Sequence, residues 1–256
     1  MLKTLSARLR QGHQTSGFPD VEPLLPARFR GLPVIDHVKC GDGCSACADH
    51  CPTQAIKRVG RHTEFDMGAC LFCTECEHAC PQGAIRMTSE YRLSTSTRDA
   101  LHTDGKALQL AHALDKRMLS LFGRSLRLRQ VSAGGCGGCE ADVAVLSTVV
   151  FDISRFGIQF VASPRHADGM LITGAVSKNM SAAVRSTYEA IPDPKLVIAV
   201  GACAISGGPF RGHPEVENGV SEMIPVDLFV PGCPPHPYTI LDGLLRLLDR
   251  REPRIS

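Results

Sequence analysis

The rest of this chain reads as organised around four cysteines in its second half. Cys136 and Cys139 lie in the run RQVSAGGCGGCE (Arg129–Glu140), where an alternating apolar segment (Leu126, Leu128, Val131) stops abruptly in glycines. Cys203 follows KLVIAV (Lys195–Val200), and Cys233 follows VDLFV (Val226–Val230). Thiolates are soft ligands suited to a metal centre. Loops leaving the carboxyl ends of parallel strands open into one crevice, so three such loops can gather four sulfurs. Taken alone, one C-x2-C and two single cysteines leave zinc, iron–sulfur and plain core thiols all open.

The other eight cysteines form an internal repeat. CSACADHCPTQAI (Cys44–Ile56) and CTECEHACPQGAI (Cys73–Ile85) superpose at a constant offset, with Cys44, Cys47 and Cys51 on Cys73, Cys76 and Cys80. Pro52, Ala55 and Ile56 fall on Pro81, Ala84 and Ile85, and Cys40 and Cys70 complete the two sets. The pattern resembles the bacterial two-cluster ferredoxin, with its C-x2-C-x2-C-x3-C-P signature and a fourth cysteine that serves the other cluster. That resemblance implies one [4Fe–4S] centre on Cys40, Cys44, Cys47 and Cys80, and a second on Cys70, Cys73, Cys76 and Cys51. Exchanging fourth ligands would tie together a domain too small for a large apolar core. One departure is present: Gly41-Asp42-Gly43 separates Cys40 from Cys44 where two residues are usual, an excess that two glycines can absorb. Paired C-x2-C zinc knuckles are the competing reading.

These thiols need elements to hold them. Ile158–Ala162 and Gly169–Thr173 are further short apolar runs of the buried parallel type. Helices are expected over Glu140–Val150, Lys178–Ala190 and about Tyr238–Arg251, with another over Lys106–Phe122 from Leu108, Ala111, Leu114, Met118 and Leu121. Alternating strands and helices of this length predict an α/β fold, a flavodoxin-like parallel sheet domain, preceded by a small α+β two-cluster ferredoxin domain. The expected divisions are 1–33 (extension and proline-broken linker), 34–90 (ferredoxin), 91–125 (polar connector and helix) and 126–256 (sheet domain). No GxGxxG or GxxxxGK[ST] run stands between strand and helix; the glycines crowd the cysteines instead.

Composition narrows the function classes. With 256 residues, a net charge of +2, few aromatics and no Trp, the chain gives no global argument for binding nucleic acid. The N-terminal run MLKTLSARLRQGHQ lacks the apolar core of a secretory signal, and no apolar stretch approaches the length of a spanning helix. Twelve cysteines outside a secreted context point to metal or redox chemistry rather than disulfides. Leu2, Leu5 and Leu9 share a helical face beside Lys3, Arg8 and Arg10, suited to a membrane surface or to a strap against a neighbouring subunit. Lys106, Lys116, Arg117, Arg124, Arg127 and Arg129 outnumber Asp115 nearby, a solvated face or a docking surface for an acidic partner.

The stretches GGCGGCE, ASPRHAD, TGAVSKNM, GACAISGG and IPVDLFVPGCPP resemble the electron-transferring small subunit of membrane-associated [NiFe] hydrogenases of the formate hydrogenlyase and energy-converting type. The 20 kDa subunit of NADH:quinone oxidoreductase is a close relative. The resemblance implies that Cys136, Cys139, Cys203 and Cys233 hold a third [4Fe–4S] centre facing a large subunit, and that the ferredoxin part, normally a separate subunit, is fused here. Spacing as Cys136-Gly-Gly-Cys139, rather than adjacent cysteines, resembles the hydrogenase side. It further implies a Ni–Fe large subunit, membrane-embedded subunits and an electron-donor protein as partners, on the cytoplasmic inner face of the membrane. No catalytic residue is expected in this chain itself. Glu140, Arg165 and His166 are candidates for tuning the third centre or moving protons, while His213 and His236 read as loop histidines. The alternatives are an equivalent subunit of a quinone-reducing or hydrogenase-related complex without Ni–Fe, or a zinc-stabilised binding module.

Overall fold

A computed structural model describes residues 2–250 apart from 13, 42, 60, 61 and 124. Three sheets organise it, with two, three and five strands. In the first half, β1 (Pro33–Ile35) pairs antiparallel with β4 (Ile85–Met87), Val34 opposite Arg86. Between them run α2 (Ala46–Asp49), the hairpin β2 (Ile56–Val59) and β3 (His62–Asp66), and α3 (Glu75–Ala79). The helix α1 (Leu2–Gln11) precedes this unit. Strand β5 (His102–Thr103) adds to β3, so the polar connector completes the three-stranded sheet.

The repeat in sequence is also a repeat in backbone. Gln54 and Gly83 both turn left-handed, at φ 52° and 57°, and so do Gly43 and Phe72, at φ 76° and 55°. Side chains rarely tolerate that region. The conformation is therefore imposed by the cysteine loops rather than by glycine alone, since Gln54 and Phe72 adopt it too.

The five-stranded sheet has order β10-β9-β8-β6-β7 and is parallel throughout. Its strands are β6 (Leu126–Ser132), β7 (Ile158–Phe160), β8 (Gly169–Thr173), β9 (Leu196–Val200) and β10 (Leu228–Val230). Renumbered from β6, this is the flavodoxin order, whose switch point lies between the first and third strands. Every residue of β8, β9 and β10 is buried, as expected where helices cover both faces. The helices are α5 (Gly138–Val145), α6 (Lys178–Ala190), the short α7 (Ala202–Ser206) and α8 (Pro237–Leu247), after α4 (Lys116–Phe122) in the connector.

Several expected boundaries shift. The Lys106–Phe122 helix keeps only its last two turns: the amide of Ala111 bonds to the Ser94 carbonyl and that of Leu114 to Leu247. These long-range partners replace the i−4 ladder, and Asp115 caps the remainder by accepting from the Met118 amide at 2.9 Å. Helix α5 stops at Val145, five residues before the expected Val150, and a tight turn follows. Helix α8 ends at Leu247; the expected end at Arg251 lies outside the described residues, as do Arg124 and Asp42. The proline-broken linker is anchored: Phe18 is buried in the sheet domain's core, and Arg155 donates to its carbonyl at 2.8 Å.

The two halves are joined by the segment after β4. Thr95 forms an antiparallel bridge with Phe229, closing the free edge of β10. Such cover blunts an edge that would otherwise invite pairing with other chains. Arg98, from the same segment, reaches back to Asp66 at the end of β3, 2.5 Å away.

Candidate metal centres

Four expected ligands line one cavity. Cys51, Cys70, Cys73 and Cys76 surround an enclosed space whose other walls include Pro33, Ile56, Phe65, Leu71 and Met87. Burial, with the surrounding cysteines adding to it, pushes the Cys70 and Cys76 thiols up to about 12. Backbone amides point at the sulfurs: Ala55 donates to Cys51 Sγ at 3.2 Å and Phe72 to Cys70 Sγ at 3.4 Å. The left-handed turn at Phe72 is what aims its N–H at the preceding cysteine.

The companion set follows the same plan. Burial raises the Cys47 thiol, and Cys40 and Cys80 raise it further. Ala84 donates to Cys80 Sγ at 3.2 Å, matching Ala55 on Cys51. Cys44 precedes Cys47 by one turn, in the loop entering α2. One contact has no counterpart across the repeat among the described residues: Arg58 Nη1 donates to Cys40 Sγ at 3.1 Å.

The third set sits beyond the carboxyl ends of the sheet. Cys136 occupies the loop after β6 between two left-handed glycines, Gly134 and Gly137, and Cys139 enters the first turn of α5. Cys203 lies in the first turn of α7 after β9, and Cys233 follows β10. Burial, together with Cys203, Cys233 and Cys136, pushes the Cys139 thiol up to about 12. Burial, together with Cys233 and Cys136, takes Cys203 to about 11. A Cβ at Gly201 would stand 2.5 Å from Cys139 Sγ, so that loop needs a glycine. Cys136 and Cys233 are exposed, leaving this set open on one side.

The spacing of the thiols bears on which centre fits. Among the described residues, no three His, Cys, Asp or Glu side chains are placed to hold a single metal ion. A zinc ion draws its thiolates to about 2.3 Å, whereas a cubane spreads four of them over its corners. Amides aimed at ligand sulfurs are the kind of hydrogen bond that tunes an iron–sulfur centre.

Glu140 stands beside the third set at the sheet's switch point. Its carboxylate accepts from Ser132 Oγ at 2.6 Å and Thr173 Oγ1 at 2.7 Å, at the ends of β6 and β8. Burial alone would raise the carboxyl, but these two hydroxyls outweigh it and hold it below its ordinary value. Its charge adds to the upward push on Cys139 and Cys203.

Arg165 and His166 are not brought to this set. They line a shallow groove with Leu121, Phe122, Arg127, Asp168 and Pro192–Pro194, on the side where β6 and β8 begin. The chain turns back after the three-residue β7, which leaves the pair at the opposite end of the strands from the cysteines.

Two features between the halves carry no sequence signal. Cys73 and Cys233 line the same cleft, of about 360 Å³, together with Phe29, Arg30, Asp142 and His236. Arg30 Nη1 donates to the carbonyls of Phe72 and Cys73, at 3.3 and 3.5 Å. His236, expected to be a plain loop histidine, caps α8 by accepting from the Tyr238 amide and stacks on the Tyr238 ring. Burial depresses its imidazole and raises the Asp142 carboxyl.

Comparison with known proteins finds relatives for both parts of the chain. Residues 136–247 match the family described as the NADH ubiquinone oxidoreductase 20 kDa subunit, and residues 39–84 match the 4Fe–4S dicluster domain. A probable membrane-bound hydrogenase subunit of Pyrococcus furiosus is 43% identical over 140 residues, 54% of this chain and 84% of that protein. Formate hydrogenlyase subunit 7 of Escherichia coli is 41% identical over 138 residues, 54% of each chain. A subunit of the NADH-quinone oxidoreductase of Citrifermentans bemidjiense is 45% identical over 116 residues, 45% of this chain and 68% of that one. Among solved structures, a chain of the archaeal membrane-bound sulfane sulfur reductase is similar at 34% identity and a TM-score of 0.47, covering 54% of this chain and 77% of its own.

Proposed function

This chain belongs to the NADH ubiquinone oxidoreductase 20 kDa subunit family, and from that membership we propose that it is the electron-transfer subunit of a [NiFe] hydrogenase complex. Three sets of four cysteines hold three [4Fe–4S] clusters: Cys40, Cys44, Cys47 and Cys80; Cys51, Cys70, Cys73 and Cys76; and Cys136, Cys139, Cys203 and Cys233. Bound there, the clusters supply one-electron transfer. The protein's part is to hold them in sequence and tune them. The observation that carries the reading is that Cys73 and Cys233 share one cleft, which brings a ligand of the second set and one of the third together.

The chain's own groups account for the rest. The amides of Ala55, Ala84 and Phe72 offer hydrogen bonds to ligand sulfurs, which favours the electron-richer state. Burial keeps the unloaded Cys70, Cys76 and Cys139 thiols protonated, so loading releases protons. The exposed Cys136 and Cys233 mark the side that a Ni–Fe large subunit covers. The donor protein docks at the first cage.

No helix among the described residues is long and apolar enough to cross a membrane. Attachment to the inner membrane face therefore runs through membrane-embedded partner subunits, aided by α1. The test is anaerobic purification with whatever co-purifies. We expect about twelve iron and about twelve acid-labile sulfides per chain, and a partner containing nickel. A colourless zinc protein sinks the cluster assignment. A full iron count beside a nickel-free partner transfers the chain to the quinone-reducing or hydrogenase-related alternative.

A further inference from the structure

Resting on the three-cage reading, the repeat offers an internal control, because among the described residues its two halves differ at one matched contact. The fourth cysteines are treated alike: Cys51 accepts from the Ala55 amide and Cys80 from the Ala84 amide, both at 3.2 Å. The first cysteines are not. Cys70 Sγ accepts from the neutral Phe72 amide at 3.4 Å, while Cys40 Sγ accepts from the Arg58 guanidinium at 3.1 Å.

Arg58 is held for this contact. It lies on β2, and its same Nη1 also donates to Thr63 Oγ1 at 3.1 Å on the facing strand β3. Arg58 and Thr63 are paired in the hairpin register, so the hairpin fixes both the donor and its second partner. A charged donor makes a hydrogen bond about twice as strong as a neutral one. Reducing a cage adds one negative charge, part of it on the ligand sulfurs. A cation bonded to one of those sulfurs therefore stabilises the reduced state more than the oxidised one. Among the described residues no cation bonds a sulfur of the second cage: Arg30 donates to the Phe72 and Cys73 carbonyls instead, and the cavity is walled largely by apolar side chains such as Pro33, Ile56, Phe65 and Met87, which disfavour added charge.

We propose that Arg58 is a positioning residue that makes the two ferredoxin-type cages unequal, raising the first above the second by its bond to the Cys40 sulfur. The first cage then takes up an electron readily and the second is the higher step before the third.

The test is a redox titration of the whole, fully loaded protein followed by electron paramagnetic resonance, with Cys44→Ser identifying the first cage's signal. In the unmodified protein the first cage should reduce at the higher potential of the two. Arg58→Gln should make reduction of that cage alone less favourable by roughly tenfold, about 59 mV for a one-electron couple, with both other couples unmoved. Arg58→Lys, which keeps the charge without the fork, should shift it less. If the glutamine variant fails to load, the unmodified protein grown on heavy-nitrogen arginine gives a second measurement. The reduced first cage should then show hyperfine coupling to a guanidinium nitrogen. Unmoved potentials, three couples moving together, or no such coupling would each overturn the proposal. A protein that carries no iron at all would instead overturn the three-cage reading.

Discussion

Cys73 and Cys233, one from the cysteine repeat and one from the loop after β10, line a single cleft, and the charge of Cys73 adds to the effect of burial in raising the Cys233 thiol. The Arg30 clamp on the carbonyls of Phe72 and Cys73 holds the repeat's side of that cleft. Arg30→Ala removes two long hydrogen bonds, worth about 1 kcal/mol together. It should leave the iron count intact and slow passage from the second cage to the third. Freeze-quenched resonance spectra after mixing with a reductant measure it; an unchanged appearance of the third cluster's signal counts against the cleft as the route.

Gly201 is the point where the third cage is least tolerant. Its φ of 90° is left-handed, and a Cβ there would meet Cys139 Sγ at 2.5 Å. Gly201→Ala should cost on the order of 1–3 kcal/mol in backbone strain and displace a ligand. The expected result is loss of about a third of the iron, confined to the third cluster's signal. Full iron with an unaltered signal would show that the loop adapts.

Glu140 places a negative charge beside Cys139 and Cys203, held ionised by Ser132 and Thr173. Glu140→Gln removes that charge while keeping the side chain's size. Reduction of the third cage should become easier, shifting its potential upward by tens of millivolts, where about 59 mV is tenfold. Redox titration reads the sign directly. A downward shift would contradict the electrostatic role.

Asp66 and Arg98 join the ferredoxin part to the segment that edges the sheet, 2.5 Å apart with side chains 12% and 26% exposed. Burial alone would raise the Asp66 carboxyl, but the Arg98 hydrogen bond and charge outweigh it and hold it below its ordinary value. A depressed folded value means the stabilisation is complete above the ordinary carboxylate value and fades as pH falls through the folded one. Asp66→Asn should cost about 3 kcal/mol near neutrality, the lower end for breaking a buried pair. The gap between variant and parent should close in strong acid. Urea titrations across that range measure it, and a gap independent of pH would rule the pair out as the cause.

Helix α1 has Leu2 and Leu9 each 85% exposed, with no acidic residue in its first turn and Arg8 and Arg10 in its last. It contributes no buried residue. Replacing Leu5 and Leu9 with glutamate should leave iron content and unfolding unchanged but weaken sedimentation with vesicles containing anionic lipid. Losing one leucine's insertion removes about 1.5 kcal/mol or more. Equal sedimentation of both forms would assign the helix to a neighbouring subunit.

Short-range regularity makes much of this chain readable from its sequence. The doubled cysteine pattern, the strand-like runs before Cys136, Cys203 and Cys233, and the helix over Lys178–Ala190 are written in spacings of a few residues, where periodicity and backbone preference act. The parallel sheet follows, since continuous apolar runs suit strands covered on both faces. What spacing does not convey is which distant atoms meet. Nothing near Arg58 announces that a hairpin will carry it to Cys40, nor does the sequence around Cys73 point to Cys233. The start of the Lys106–Phe122 helix is lost because Ser94 and Leu247 capture its backbone. Arg165 and His166 lie at the far end of the sheet because a three-residue strand turns the chain back early. Such contacts depend on the packing of whole layers, and that is settled only when every element competes for the same partners at once.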